Sequence, residues 1–203
     1  QQIALSKLKQ NEQQLKLKLD KQNQERRNLA SAIRKAIEKE IEKEALREKK
    51  SGFRITPETA ALAKSFTTNK GRLPWPVAKG EITGLYGKHR HQVVKTATIE
   101  NKGIDITTEK GADVRAIFDG KVTSIFIIPG SGKVVMVSHG NYRTVYANLK
   151  NVFVEKGDEL STKEVLGSLL PSENGNVSEA HLEIWKISTG NMDTVDPSLW
   201  IYR

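Results

Sequence analysis

The first fifty residues contain neither glycine nor proline, whereas everything after residue 71 is cut into short pieces by both. An uninterrupted run rich in Gln, Lys, Glu, Leu, Ile and Ala favours one long helix. A chain of Val-, Ile-, Phe- and Tyr-rich segments broken at Asp119-Gly120, Pro129-Gly130, Gly132, Gly140-Asn141, Gly157 and Gly167 favours short strands and tight turns. The 203 residues suffice for one ordinary domain and an appendage. The expected class is α+β, with a helical segment at 1–50, a linker at 51–70 and a mainly antiparallel β domain at 71–203.

Within the long helix, Leu5, Leu8, Leu15 and Leu19 form a seam of alternating threes and fours. Gln22 and Arg26 weaken the seam. It resumes at Leu29, Ile33, Ile37, Ile41 and Ala45, now spaced by four, which reads as a coiled coil with a break in phase. Glu38 and Glu42, Lys39 and Lys43, and Glu40 and Glu44 are like-charged pairs four apart, so the helix is not built to stand alone. A partner helix is expected, from another arm of the same protein or from a second copy. The chain opens "QQIALSKLKQ", without a methionine, and reads as part of a longer protein.

The net charge of +9 is concentrated here: residues 1–56 carry fifteen Lys and Arg against eight Asp and Glu. Because the signs are mixed and aromatics are almost absent, the pattern points to a solvated helix face rather than to nucleic acid. Contact with an anionic membrane surface is the second reading. No run approaches the ~20 apolar residues of a membrane span. The absence of cysteine removes disulfides, thiolate metal sites and cysteine nucleophiles together.

Ser51-Gly52 stops the long helix, and Thr56-Pro57-Glu58-Thr59 starts another by placing a capping residue before a first-turn proline. This short helix runs to about Phe66, with Ala60, Leu62, Ala63 and Phe66 apolar. Two placements are open to it: over a functional groove as a regulatory cover through Leu62 and Phe66, or as plain core on another face.

Candidate chemistry in the β half rests on His89, His91, His139, His181 and nearby acids. In "SEAHLEIW" the two-residue period of a strand puts Glu179, His181 and Glu183 on one face, and in "ENKGIDI" it puts Asn101, Gly103 and Asp105 together. Taken singly, each has an ordinary structural reading, and spacing alone establishes no metal site.

The order of motifs adds context. "GRLPWPV" at 71–77, "GLYGKH" at 84–89, "NKGIDI" at 101–106, "GADVRAIFDGKV" at 111–122, "KVVMVSHG" at 133–140, "TVYANL" at 144–149, "EKGDEL" at 155–160, "KEVLGSL" at 163–169, "EAHLEI" at 179–184 and "DPSLW" at 196–200 follow one another. Together they resemble the LytM-type, or lysostaphin-type, zinc endopeptidase domain, with its duplicated-hybrid-motif-like fold. More closely they resemble its degenerate form in the EnvC-like murein hydrolase activators. The resemblance implies zinc-ligand positions at Asn101, Asp105 and His181, and helper-histidine positions at Asn148 and Glu179. Two of the three ligands and neither helper are kept. Asparagine is a poor zinc ligand beside imidazole, and a catalytic zinc wants three protein ligands. The implied role is therefore non-catalytic, with no cofactor: a periplasmic activator of a cell-wall amidase in cell division. It would bind through a former peptidase groove of Asn101, Asp105, Asn148, Glu179 and His181, and reach an inner-membrane division-machinery protein, and peptidoglycan, through or beside its coiled coil. Two other readings stand beside it: an active zinc metallopeptidase, with His89 or His91 supplying the missing ligand or with Glu179, Asp105 and His181 forming an altered site, and a cell-wall-binding scaffold. His139 reads as structural.

Overall fold

The computed structural model describes residues 2–49, 57–90, 97–188 and 191–202; within α1 the side chains of residues 2–6, 44–45 and 47–49 are not described. Two helices, α1 (Gln2–Lys49) and α2 (Pro57–Thr68), precede the strands. In chain order these are β1 (Glu81–Gly84), β2 (Gly87–Arg90), β3 (Thr98–Asn101), β4 (Ile104–Glu109), β5 (Asp113–Arg115), β6 (Gly120–Ile128), β7 (Gly132–His139), β8 (Tyr142–Val152), β9 (Glu159–Leu160), β10 (Val165–Leu169), β11 (Val177–Ser188) and β12 (Asn191–Val195). A 3-10 turn, Pro197–Leu199, follows, capped by the Asp196 carboxylate accepting from the Ser198 N–H.

One sheet runs in the order β1-β4-β11-β8-β7-β6-β9, with β12 beside β11 and β10 bridging β5 and β8. Its ladders are antiparallel, and β2 and β3 form a separate antiparallel hairpin. The longest strand, β11, is shared: its first half pairs with β4, its second half with β12, and its middle with β8. That sharing places residue 181 between Asp105 and Ala147.

Strands β7 and β8 are buried on both faces. Val135, Val137, Tyr142, Tyr146 and Leu149 enter the main core with Ile104, Ile106 and Leu182. Their alternates Val134, Met136, Val145 and Ala147, with Ile128 and Trp185, face the other way, and α1 covers them with Leu29, Ile33 and Ile37. The four-residue stripe expected to seek a partner helix therefore finds a sheet instead. The physical reason lies in the sheet itself: an apolar second face has to be covered, and the stripe is the nearest complementary surface. Burying each of the three side chains is worth about 1.5–3 kcal/mol before ordering costs. The N-terminal part of the seam differs, since Leu8 stays 70% exposed while Leu19 is buried.

The short helix α2 does not lie on this second face. Its Phe66 is fully buried in the main core, stacked on His139 at 4.7 Å and on Trp200 at 4.9 Å, with Tyr142 at 5.0 Å. Leu62 is half-buried along the same helix. Phe66 is thus a core residue. Phe66→Ala should cost about 3–5 kcal/mol, the range for emptying an aromatic core site, read as a lower urea midpoint with an unchanged slope.

Candidate functional site

The register of β11 on β4 sets His181 directly beside Asp105. The His181 Nδ1 lies 2.6 Å from Asp105 Oδ1, and its Nε2 lies 3.0 Å from Glu183 Oε1. The other Glu183 oxygen accepts from the Trp185 indole N–H at 2.6 Å. Asp105 Oδ2 accepts twice, from the Asn101 amide at 2.9 Å and from the Arg26 guanidinium of α1 at 2.8 Å. The Asn101 carbonyl in turn accepts from the Gly103 N–H at 3.1 Å. Asn101, Asp105, His181 and Glu183 are each at most 5% exposed.

Two glycines make room for this cluster. A Cβ on Gly84 would come within 2.0 Å of Asp105 Oδ2, so β1 passes the carboxylate only as bare backbone. A Cβ on Gly103 would meet the Leu182 carbonyl at 2.1 Å, so the bend between β3 and β4 also requires glycine. Gly84 of "GLYGKH" and Gly103 of "NKGIDI" thereby acquire a packing role.

An imidazole facing a carboxylate through each nitrogen is satisfied only with both nitrogens protonated. Burial pulls the His181 pKa down, but the hydrogen bonds and charges of Asp105 and Glu183 outweigh this and raise it to about 10. Burial pushes Asp105 up, and His181 and Arg26 together reverse that and hold its carboxyl below the usual range. Glu179 opens onto the adjoining cavity, where crowding by protein and then the Asp105 charge raise its carboxyl. The Asn148 amide donates to the Glu179 carbonyl at 3.1 Å from a left-handed backbone (φ 64°), a conformation asparagine tolerates.

The cavity between α1 and these strands holds about 470 Å³. Lys18, Arg26, Asp105, Asn148, Glu179 and His181 are among its lining residues. Of the five expected groove residues, four therefore converge on one space, and Asn101 lies beneath them as a hydrogen-bond donor to Asp105. The other described histidines stand apart. His89 pairs across the hairpin with Ile99 and directs Nε2 to the Leu85 carbonyl at 2.8 Å. His139 is fully buried between the Asp119 carbonyl and the Thr144 hydroxyl, and burial lowers its pKa to about 4. His91 lies outside the described residues.

The donor set does not fit a metal. Both oxygens of Asp105 and both nitrogens of His181 are engaged by protein groups, two of them cationic, and Asn101 turns its amide nitrogen toward the carboxylate. Among the described residues no three His, Cys, Asp or Glu side chains converge to hold an ion. Asp105, Glu179 and His181 all line the cavity, but as placed they do not form such a group.

Arg26, Glu183 and Trp185 were not among the expected site residues. Glu183 was visible on the His181 face of its strand. Arg26 was visible only as a flaw in the coiled-coil seam. A second ion pair ties the far end of α1 down: Arg143 donates to Glu40 Oε1 at 2.6 and 3.0 Å, with side-chain exposures of 4% and 12%.

Because folding raises the His181 pKa above its unfolded value near 6.5, the stability it contributes is complete below about pH 6.5 and lost as pH climbs toward about 10. His181→Gln should remove this component. The wild-type minus variant difference in unfolding free energy should shrink steadily between those pH values in urea titrations.

Comparison with known proteins bears on the same residues. The sequence profile of Peptidase family M23 matches residues 99–197. An uncharacterized protein, NMB1333, of Neisseria meningitidis serogroup B is 31% identical over 140 residues, 68% of this chain and 22% of its own length. The peptidoglycan DD-endopeptidase ShyA of Vibrio cholerae is 30% identical over 118 residues, 57% of this chain and 27% of its own. The chain thus spans under a third of the length of these two relatives. In the structure of the SpoIIQ-SpoIIIAH pore forming complex, one chain superposes with a TM-score of 0.53 at 26% identity, covering 66% of this chain and 92% of that one. Residues 99–197 thus match a Peptidase family M23 domain, of the LytM type, in sequence profile and in fold, behind a long N-terminal helix.

Proposed function

We propose that this chain is a non-catalytic activator of a peptidoglycan (N-acetylmuramoyl-L-alanine) amidase, as the resemblance to EnvC-like proteins implies. The observation that carries this reading is the Arg26 guanidinium on Asp105, with His181 bridged to Glu183. Groups that a peptidase would offer to zinc are spent on internal ion pairs. Water activation at neutral pH needs a metal or a poised base, and neither Asn148 nor the hydrogen-bonded His181 supplies one. What remains is a polar cavity beside an apolar sheet face, a surface suited to a protein segment.

The relatives support a setting at the cell wall, since ShyA is a peptidoglycan DD-endopeptidase. They also support partner binding by such a domain, since SpoIIQ is found in complex with SpoIIIAH. An extracytoplasmic, periplasmic location follows from the substrate of the amidase. No described helix is long and apolar enough to cross a membrane. The exposed Leu8 and Leu17 near the start of α1 are where a division-machinery partner at the inner membrane would attach.

On this reading the amidase must displace α1, because the helix lies on the surface it would use. In a dye-release assay on cell wall, this chain alone should release nothing, with or without zinc. With the cognate amidase it should stimulate release, and chelation of any metal carried by this chain before mixing should leave that stimulation unchanged. Ile33→Asp, which buries a carboxylate under α1 and so loosens it, should raise stimulation several-fold, and Glu179→Lys in that background should lower it. Zinc-dependent muropeptide release by this chain alone would establish the peptidase reading. Sedimentation with peptidoglycan without any stimulation would establish the scaffold reading.

A further inference from the structure

The apolar contacts of α1 repeat every four residues, and the sequence carries the same spacing on to Ile41. Arg26 sits on Asp105, Leu29, Ile33 and Ile37 fill the apolar face, and Glu40 pairs with Arg143. Advance each position by four and the same surface would meet Ala30, then Ile33, Ile37 and Ile41, then Glu44. Three large apolar side chains and a carboxylate for Arg143 are all still present. Ile41 is 37% exposed where it stands, an apolar residue without full burial in the observed register. Of these five positions only that of the arginine loses its function, to a methyl group.

The repeat works in one direction only. Moving by four the other way would put Gln22 on Asp105, drive Glu25 into the apolar face and leave Arg143 opposite Ala36. A residue row spaced by four is a natural ridge of a helix, and travel along it is a screw motion of about 6 Å and about 40°.

We propose that α1 has a second docking register, one turn advanced toward its N-terminus, in which Arg26 leaves Asp105 for the place of Gln22 and Ala30 faces the carboxylate, while the helix stays bound. Arg26 is the latch between the two registers. The observed register is preferred because the advanced one gives up more than this ion pair. The place of Arg34, which donates to the Met192 carbonyl at 3.3 Å, passes to Glu38, which cannot donate, the buried place of Leu19 passes to Asn23, and the half-buried place of Ala36 beside the apolar face passes to Glu40. A pull on the N-terminal end of α1 would offset these losses, so the helix would change state by ratcheting rather than by detaching. The inference depends on the docking of α1 alone, whatever partner later uses the cavity.

Spin labels on the full chain test it, and the absence of native cysteine makes the labelling specific. Lys39→Cys and Glu173→Cys are both exposed. Lys18 of α1 lies at Glu173, so the pair spans about 21 helical residues, ~32 Å nearly along the axis. Pulsed dipolar spectroscopy should give one dominant separation in the otherwise wild-type chain. Arg26→Ala should add a second population about 6 Å shorter, and Arg26→Gln serves the same comparison if alanine weakens the fold. Adding Ile41→Glu, harmless where Ile41 is half-exposed but buried in the advanced register, should abolish the short population. A single unchanged separation in the Arg26 variants, a broad distribution in place of two peaks, or a short population that survives Ile41→Glu would each overturn the proposal.

Discussion

Arg26, Asp105, His181 and Glu183 form a chain of alternating charge, closed at one end by the Trp185 indole and steadied from below by the Asn101 amide. Burying a charge is costly unless it is paired and its hydrogen-bonding capacity is met. Here each ion has an opposite charge beside it, and neutral donors meet the carboxylate oxygens' remaining capacity, so the cluster is tolerable as a set and intolerable in part. A proton on imidazole and a guanidinium from a distant helix together supply the positive charge that two adjacent acids require. Asp105 and His181 therefore have a structural role, as partners in a buried charge network.

This cluster also explains how the helix and the sheet come to be one structure. The central strands are apolar on both faces, and the main core satisfies only one. The helix covers the other with three side chains and is fixed at either end by ion pairs of opposite sense, Arg26 to Asp105 and Glu40 to Arg143. Apolar burial supplies most of the attraction and the end pairs supply register, the usual division between non-directional and directional forces.

Much of this was legible in the chain. The helix at the front, the short second helix and the strand-rich remainder follow from where glycine and proline stand. The two-residue period gave the shared face of His181 and Glu183, and the ordered motifs gave the LytM-type domain. What was not legible is tertiary. The four-spaced row from Leu29 to Ile41 suits a helix or a sheet equally, so the pattern could not say which would cover it. The run "VVMV" in β7 was the available hint, since a strand apolar on both faces asks for two covers. Arg26 read as a defect because its partner is 79 residues away in sequence. Phe66 was open between cover and core because a short amphipathic helix carries no address.

The opposed signs at the two ends of the α1 seat have one more consequence. A helix laid into the same trough with its chain direction reversed would bring an acid to Asp105 and a base to Arg143. Both meetings would be repulsive, and the one at Arg143, whose side chain is only 4% exposed, would be little softened by solvent. The trough thus has polarity as well as shape, and it tells the head of a helix from its tail before any side chain in between is felt.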